Sequence, residues 1–418
     1  MYNANPTRRA EATIVEDGIM KGRQVHRTGA VTWRVAPVVL WFAAAVIGLI
    51  DMPGLAGETT SKPRGEGLHR DRSDRWQRTG RDVLWGFRNM YAAKVVRVPD
   101  KVYPLRMWFF GWAVTDCNEG YSGCDAIFHA RGKDLDHWEV FCGDRTWDAK
   151  MDPRRWKPVI VPRDMFYDQW HNGDPSVVYR DGVFYMAYSS TGFNADGVME
   201  GASGDKDGDI LCIMGAVSKD GIDWQRSPEP ILINKAEIGA PHGSQSQFVN
   251  GMYHRPSLMW DRERWRMWFD YWAGPRAGGC AMGYAECVGE FLDPNAWKVI
   301  RAGSEPLLPH WPNPEVVNVG GRYYAFADPP IPPERHPWKA RQIAEAVSAD
   351  GLHWTVLGHI RPDPDTPALH VPTPFVDETV TPPRIVLFYA CQIGGEPYDY
   401  RYNRIRYMTR SVVPGGAD

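Results

Sequence analysis

The sequence HNGDPSVVYRDGVFYMAYSS, residues 171–190, has the pattern of two β-strands joined by a tight turn. Apolar and polar residues alternate, β-branched and aromatic side chains are frequent, and Asp181-Gly182 stands between the two runs. Asp-Gly between two such runs is a typical hairpin turn. Similar segments begin at Pro256, Pro314 and Thr373, with a weaker one at Met90. The chain therefore contains a repeated hairpin.

A second repeated segment follows the hairpins. It reads AVSKDGIDW where it ends at Trp224 and AVSADGLHW where it ends at Trp354, and looser versions end at Trp138 and Trp297. Each predicts a strand, a tight turn and a further strand that starts at the tryptophan. We expect these four tryptophans to fill the space between neighbouring units rather than to bind a ligand.

Together the two segments make a unit of about four short antiparallel strands, the size of a propeller blade. Five units fit the chain, with approximate spans 82–144, 170–233, 253–304, 313–360 and 370–410. This repetition predicts an all-β fold, a five-bladed β-propeller of four-stranded antiparallel blades. A β-sandwich also uses short strands, but it does not repeat the same two segments in the same order.

The composition excludes several classes of protein. Glycine and proline number 41 and 34, which disfavours a helical bundle, and 43% hydrophobic residues argue against disorder. The formal net charge is −3, so we expect no nucleic-acid partner. The chain is predicted to be a globular β-protein.

Residues 35–50 are uncharged and follow Arg23, Arg27 and Arg34. This stretch is shorter than the roughly 20 residues of a membrane-spanning helix and is typical of a signal-peptide core. We expect residues 1–56 to be a signal peptide of an exported protein, periplasmic or extracellular. The alternative is an uncleaved membrane anchor at 35–50, and only then is a membrane a partner. Residues 57–81 are predicted to be a linker or strap, 82–410 the propeller, and 411–418 a tail.

Blade geometry predicts where a functional site lies. In an antiparallel blade the start of strand one and the end of strand two lie at the same end, so five starts meet around one mouth of the central channel. Polar residues stand at these starts: Asn89, His171-Asn172-Gly173-Asp174, His254-Arg255, Asn313-Pro314-Glu315 and His370. The ends of strand two lead into the longest loops, near 113–126, 191–210, 273–281, 329–341 and 391–404. This mouth is the predicted pocket.

The segment 171–190 and the repeated AVSxDGxxW resemble the five-bladed propeller glycosidases, especially glycoside hydrolase families 43, 32 and 62. The resemblance covers roughly 82–410 and implies cleavage of a glycosidic bond in a poly- or oligosaccharide. Those families use a carboxylate at an inner-strand entry as base or nucleophile and a glutamate of a later blade as general acid. Another aspartate often tunes the acid.

Matched by position, the resemblance implies Asp174 as the base and Glu315 as the acid. The third blade begins with His254-Arg255-Pro256 and has no aspartate there, so we expect Asp270 or Asp328 to be the third carboxylate. One carboxyl group protonates the leaving oxygen and the other activates water. We expect an ionised Asp174, a raised pKa for Glu315 and, from the resemblance, inversion of configuration.

Seven further residues are candidates for substrate binding: Trp170, His171, His254, Arg255, Trp311, Asp328 and His370. Either tryptophan could stack on a sugar ring or simply pack in the core. The guanidinium of Arg255 could hold a substrate group or keep Asp174 ionised. His254 and His370 could be core histidines or line the channel. We expect no metal or other cofactor to be required, with a structural calcium ion in the central channel as the alternative.

Two other functions stay open. A glycoside phosphorylase replaces the attacking water with phosphate, and Arg255, Arg335, His336 and Arg401 are candidates to bind that phosphate. A non-catalytic carbohydrate-binding propeller would agree with the missing third entry carboxylate. In all three hypotheses the partner is a carbohydrate.

Overall fold

A computed structural model describes most of the chain from residue 70 onward. The described residues are 70–86, 89–112, 125–163, 165, 167–168, 171–192, 210–234, 253–272, 280–329, 341–366, 368–392 and 403–413. The predicted leader and anchor segment, 1–56, and the predicted tail beyond 413 lie outside these residues. Within the described residues no helix is long and apolar enough to cross a membrane.

The described chain forms 23 β-strands in five antiparallel sheets. The N-terminal strand is β1 (Gln77–Arg78). The first blade contains β2 (Asn89–Arg97), β3 (Leu105–Trp112), β4 (Asp125–Gly132), β5 (Trp138–Phe141), β6 (Trp147–Asp148) and β7 (Pro158–Ile160). The second contains β8 (His171–Arg180), β9 (Val183–Gly192), β10 (Ile210–Ser218) and β11 (Gln225–Arg226).

The other three blades follow in chain order. The third contains β12 (Tyr253–Asp261), β13 (Arg264–Trp272), β14 (Cys280–Cys287), β15 (Trp297–Arg301) and β16 (Leu308–Pro309). The fourth contains β17 (Glu315–Val319), β18 (Arg322–Ala327), β19 (Ile343–Ser348) and β20 (Trp354–Ile360). The fifth contains β21 (Leu369–Asp377), β22 (Arg384–Gln392) and β23 (Asn403–Ser411), and short 3-10 turns lie at Ser73–Arg75, Pro153–Arg155 and Pro294–Ala296.

The first strand of every blade lies on the inside. The five inner strands β2, β8, β12, β17 and β21 each contact the next, and β21 contacts β2, so they close a ring. The predicted five-bladed propeller is therefore confirmed. Among the described residues the apolar core is divided into five clusters, each of which joins two neighbouring blades.

The repeated AVSxDGxxW segment folds into a turn built by its own side chains. Ser218 Oγ accepts a hydrogen bond from the Gly221 N–H (2.9 Å), and Asp220 Oδ1 accepts from the N–H groups of Ile222 and Asp223. Gly221 has φ of +76°, and an added Cβ there would lie 2.6 Å from Trp108 of the first blade. The Trp108 indole donates to the Gly221 carbonyl at 3.0 Å. The turn thus needs glycine and joins two blades.

The same turn recurs in the fourth blade. Ser348 Oγ accepts from the Gly351 N–H at 2.9 Å, and Gly351 has φ of +79°. Trp268 of the third blade donates to the Gly351 carbonyl at 2.9 Å, and Trp354 donates to it at 3.1 Å. The tryptophan that ends the segment therefore caps its own turn, while another tryptophan approaches from the preceding blade.

The fifth blade is completed by the N-terminal end of the described chain. Strand β1 pairs with β23 as its outer strand, with Gln77 opposite Thr409, and a further bridge joins Leu84 to Ile405. This strand lies inside the segment 57–81 that the sequence predicts as a linker or strap. Nearby, Arg72 donates to Glu345 at 2.9 Å, and both side chains are fully buried. The described part of the N-terminal segment, from residue 70 onward, is therefore part of the propeller sheet system.

Candidate active site

Near the start of each inner strand, one residue lies in the left-handed region of φ. The φ values lie between +46° and +52° at five positions that correspond to one another in the repeat: Ala92, Asp174, Arg255, Asn313 and Val371. In four of the blades this residue lies in a β-bulge between strands one and two. Such backbone costs on the order of 1–3 kcal/mol per residue and is often found at functional sites. Asp174 and Arg255 thus occupy one ring at the channel mouth.

Side chains of strand two tie this ring together from blade to blade. Three backbone N–H groups of the ring donate across blade boundaries: Arg255 to Ser189 Oγ (2.8 Å), Asn313 to Asp270 Oδ2 (3.1 Å) and Val371 to Asp328 Oδ2 (3.0 Å). The two candidates for the third carboxylate, Asp270 and Asp328, therefore hold equivalent places and join neighbouring blades.

Asp174 lies at the centre of a buried cluster of cationic and imidazole groups. Its Oδ2 is 3.4 Å from His254 Nε2, 3.6 Å from Arg255 Nε and 3.9 Å from His171 Nε2. Only 4% of Asp174 is exposed, and neither carboxylate oxygen makes a hydrogen bond within the described part of the chain. Asp174 therefore has one guanidinium and two imidazole rings beside it, while its lone pairs stay available to a ligand.

These neighbours decide the ionisation of Asp174. Burial alone would raise its pKa, but the Arg255 charge, with His171 and His254, outweighs burial and holds the pKa well below its usual range. The Arg255 pKa is raised in turn: burial opposes the rise, and the Asp174 and Asp270 charges exceed it. At neutral pH the pair is a carboxylate and a guanidinium. The predicted ionised state of Asp174 agrees with this environment.

His254 lies between two carboxylates. Its Nε2 faces Asp174, and its Nδ1 is 3.6 Å from Asp270 Oδ1. Burial lowers the pKa of His254, and the two aspartates only partly offset this effect. His254 is therefore mainly neutral near pH 7, with one ring nitrogen towards each carboxylate.

Glu315 lies two residues after Asn313, the residue of the fourth blade that corresponds to Asp174. In the repeat it corresponds to Ser176, Ser257 and Lys94, which pair with the equivalent strand-two residues. Glu315 Oε2 accepts from Lys94 Nζ at 2.8 Å and from Ser257 Oγ at 3.1 Å. Burial raises the pKa of Glu315, the Lys94 charge opposes the rise, and the Asp174 charge adds to it. The direction agrees with the expectation for an acid.

Three of the remaining candidates, Asp328, His370 and Trp311, lie among the described residues. Asp328 accepts from Arg341 Nη1 at 2.9 Å and from the Asn313 amide. Burial lowers the pKa of His370 to about 3, so this histidine is neutral. Trp311 is 1% exposed within the core cluster of the third and fourth blades, which favours core packing over sugar stacking for this residue. Trp170 lies outside the described residues.

Sequence reasoning missed two partners in the channel. Lys94 is the ion-pair partner of Glu315, and Tyr91 has its ring 5.9 Å from the Arg255 guanidinium. Both lie in β2, the inner strand of the weakest repeat. The signal that could have found Lys94 is its position in the hairpin, which corresponds to Ser176 and Ser257 in the clearer repeats.

Among the described residues one group of side chains has the spacing of metal ligands. His171, Asp174 and His254 each offer one ligand atom, and these atoms lie within 4.8 Å of one another. The loops predicted to form the walls of the pocket fall largely outside the described residues. The same holds for three of the candidate phosphate ligands, Arg335, His336 and Arg401.

Comparison with known proteins identifies the fold. No protein-family model matches the chain, and no curated protein matches it by sequence. A family 117 glycoside hydrolase from the marine bacterium Zobellia galactanivorans matches in structure with a TM-score of 0.54 and 11% identity, over 82% of this chain and 92% of that one. A second solved structure, described as a glycoside hydrolase, gives a TM-score of 0.53 and 16% identity, over 82% and 94%.

A third solved structure, a mutant of the Bombyx mori GH32 beta-fructofuranosidase in complex with sucrose, gives a TM-score of 0.51 and 10% identity. It covers 80% of this chain and 61% of that one. At these identities the likeness concerns the fold alone. The predicted resemblance to five-bladed propeller glycosidases is confirmed at that level.

Proposed function

We propose that the protein is a glycoside hydrolase in which Asp174 is the ionised carboxylate and Glu315 the general acid. The observation that carries the proposal is Asp174: a buried aspartate at the channel mouth, kept charged by Arg255, with both oxygens unused by hydrogen bonds in the described chain. Matching structures of the same fold include a family 117 glycoside hydrolase and a beta-fructofuranosidase in complex with sucrose, so the partner proposed for this chain is a carbohydrate.

The role of Asp174 follows from its surroundings. In an inverting mechanism a carboxylate accepts a proton from the attacking water, whereas a retaining enzyme uses it as a nucleophile. Either role needs an ionised group with accessible lone pairs. Its depressed pKa makes Asp174 a weak base in the resting state, but also keeps it charged throughout the neutral pH range. We propose inversion, which NMR of the freshly released sugar would test through its anomeric configuration.

Glu315 has the environment of a group that can carry a proton. Burial raises its pKa, and Asp174 disfavours a second negative charge nearby. The Lys94 ammonium, 2.8 Å from Oε2, works in the opposite direction and orients the carboxyl group. We propose that Glu315 protonates the leaving oxygen. Positioned proton transfer of this kind contributes about 10²–10⁴-fold to rate.

Asp270 is proposed to act on the site through His254. One of its oxygens accepts the Asn313 N–H at 3.1 Å, and the other faces His254 Nδ1 at 3.6 Å. Because His254 in turn faces Asp174, a fixed Asp270 sets the orientation of the imidazole. This makes Asp270 a positioning residue of the proposed reaction.

The deciding experiment measures reducing-sugar release from a panel of plant, algal and microbial polysaccharides by the full chain. Asp174→Asn should lose at least about 10²-fold in activity, because it removes the charged carboxylate. The matched control is Asp181→Asn, an exposed aspartate in the turn of the same blade, which should leave activity unchanged. Activity that survives in Asp174→Asn contradicts the assignment, and glycan binding without turnover would instead indicate a binding propeller.

A second arm tests Glu315. Glu315→Gln should lose activity on natural substrates but keep much of it on aryl glycosides with an acidic leaving phenol, because that phenol needs no proton. Glu305→Gln, which alters an exposed glutamate of the third blade, is the control and should leave both activities unchanged. Equal losses on both substrate types would exclude Glu315 as the acid. Running every assay with and without inorganic phosphate separates hydrolysis from phosphorolysis.

We also propose export, on the basis of the uncharged segment 35–50 and the arginines before it. N-terminal sequencing of the native protein tests this proposal. A mature end near Gly57 supports a cleaved leader, and an intact N-terminus found in the membrane fraction supports the anchor.

A further inference from the structure

We propose that His171, Asp174 and His254 form a binding site for a divalent transition-metal ion of the Zn²⁺ type. The three side chains come from two inner strands, β8 and β12, and each residue is at most 6% exposed. Their ligand atoms, two imidazole nitrogens and a carboxylate oxygen, converge within 4.8 Å of one another. The inference rests on this geometry and not on the proposed hydrolysis.

The distances suit a tetrahedral ion. Zinc binds imidazole nitrogen at about 2.0–2.1 Å and carboxylate oxygen at about 2.0–2.2 Å, which separates neighbouring ligand atoms by about 3.4 Å. His254 Nε2 already lies 3.4 Å from Asp174 Oδ2. His171 Nε2 lies 3.9 Å from the same oxygen, so this nitrogen must approach the oxygen by about 0.5 Å to reach the tetrahedral separation.

A second layer of contacts supports the site. Histidines that bind a metal usually direct their other ring nitrogen to a carboxylate or carbonyl, which fixes the ring and its tautomer. His254 does this with Asp270, whose Oδ1 lies 3.6 Å from Nδ1. The other Asp270 oxygen accepts the Asn313 N–H at 3.1 Å, so this carboxylate is itself held. Asp270 thus orients His254, and His254 directs its other ring nitrogen to the place beside Asp174 where the metal ion would bind.

Asp174 supplies an independent reason to expect a cation. Buried carboxylates in proteins are normally hydrogen-bonded. Both Asp174 oxygens lie in the interior with no hydrogen bond in the described chain. Among the described residues, Asp174, Asp270 and Asp328 at this mouth face only two guanidinium groups, Arg255 and Arg341, which leaves an excess of negative charge. A cation would satisfy that charge.

Arg255 limits the affinity of the proposed site for a metal ion. Its Nε lies 3.6 Å from the same Oδ2 that the metal would use, so the guanidinium repels an ion bound there. We therefore expect weaker binding than at a triad without a neighbouring arginine. The same reasoning gives a sharp test, because replacing Arg255 by a neutral residue should strengthen metal binding.

The donor set favours transition metals over calcium. Ca²⁺ takes six to eight oxygen ligands, whereas imidazole suits Zn²⁺, Cu²⁺, Ni²⁺ and related ions. Three protein ligands leave a fourth position for water or an exogenous ligand. An ion at this place occupies Asp174 Oδ2, so under the proposed function Zn²⁺ should inhibit hydrolysis.

The experiment titrates Zn²⁺ into the untagged full chain after treatment with EDTA, by calorimetry, and follows Co²⁺ by its visible absorption. His171→Ala, His254→Ala and Asp174→Asn should each weaken binding by at least about tenfold, and Asp270→Asn by about 10–100-fold. Arg255→Gln should tighten it by about tenfold or more. His353→Ala, which alters a surface histidine, is the control and should change nothing.

Near-UV circular dichroism checks that each variant is folded, and Asp174→Asn, which removes no hydrogen bond in the described chain, covers the case in which a histidine variant fails to fold. No binding of Zn²⁺ or Co²⁺ by the parent overturns the inference. Binding that survives in Asp174→Asn and is insensitive to Arg255→Gln also overturns it. Metal binding without any sugar release would refute only the proposed function, and sugar release without metal binding would refute only this inference.

Discussion

Asp168 and Asp174 are two buried aspartates near the start of the second blade, and their partners differ completely. Asp168 is fully buried and accepts bonds from Arg163 Nε (2.6 Å), Arg226 Nη1 (3.0 Å), Asn172 Nδ2 (2.6 Å), Ser190 Oγ (2.8 Å) and Tyr188 Oη (3.2 Å). Asp174 has charged and imidazole neighbours at 3.4–3.9 Å and no hydrogen bond in the described chain.

The difference separates a structural carboxylate from one that is available for chemistry. Every lone pair of Asp168 is engaged, so substrate could reach it only by breaking bonds that join several segments of the blade. Asp174 is fixed by a left-handed backbone and by electrostatic attraction, both of which leave its oxygens able to accept a proton or a cation. Burial alone therefore does not separate these two carboxylates, whereas the absence of hydrogen bonds in the described chain does.

The largest expected effect tests the structural half of this comparison. Asp168→Ala should lower the free energy of unfolding by about 3–5 kcal/mol, because it leaves two partly buried arginines without their partner. Asp174→Ala removes no hydrogen bond in the described chain but leaves the Arg255 guanidinium without its carboxylate, so its loss should be smaller than that of Asp168→Ala, which also removes five hydrogen bonds. Urea unfolding of the two variants measures the difference. Equal losses would mean that Asp174 is as structural as Asp168.

An intermediate effect is expected for Glu315, which combines both kinds of environment. It is paired with Lys94 but lies next to the channel. In a double-mutant cycle of Lys94→Met and Glu315→Gln, the double variant should be more stable than the sum of the single variants predicts, by about 0.5–3 kcal/mol. Urea unfolding of the four proteins gives this coupling energy. A coupling near zero would show that Lys94 does not constrain Glu315.

The smallest expected effect concerns pH. The pKa of Asp174 is lower in the folded protein than the value of about 3.9 in an unfolded chain, so its contribution to stability is present above that value. This contribution is lost as pH falls towards the folded-state pKa. In Asp174→Asn the loss of stability between about pH 5 and pH 2 should become shallower, as measured by urea midpoints. Asp181→Asn is the control, and identical slopes in all three proteins would contradict the assigned direction.

The sequence allowed the fold to be predicted because its determinants are local. Ser218, Asp220 and Gly221 build their turn from neighbouring atoms, so the repeated AVSxDG is sufficient to recognise the unit. The cluster at the channel mouth could also be predicted. Asp174, His254 and Arg255 stand near the starts of inner strands, and the symmetry of the blades brings these starts together.

Contacts that depend on the curvature of the ring were not predictable. Lys94 and Glu315 meet across the channel, although they belong to the first and fourth blades. The β-bulges shift each inner strand by one residue and so decide which side chains of two inner strands meet across the channel. The sequence of a single hairpin does not predict these bulges. Strand β1 was missed for another reason: two residues are too short to show an alternating pattern.

The pairing of β1 with β23 has a consequence for the order of events during synthesis. The ribosome makes Gln77 long before Thr409, the residue opposite it, so the fifth sheet has no outer strand until translation is nearly over. At about 5–20 residues per second, the N-terminal strand waits for tens of seconds while the four preceding blades emerge. The ring can close only in a finished chain, and a chain truncated before β23 leaves both edges of the gap open to pairing with other molecules.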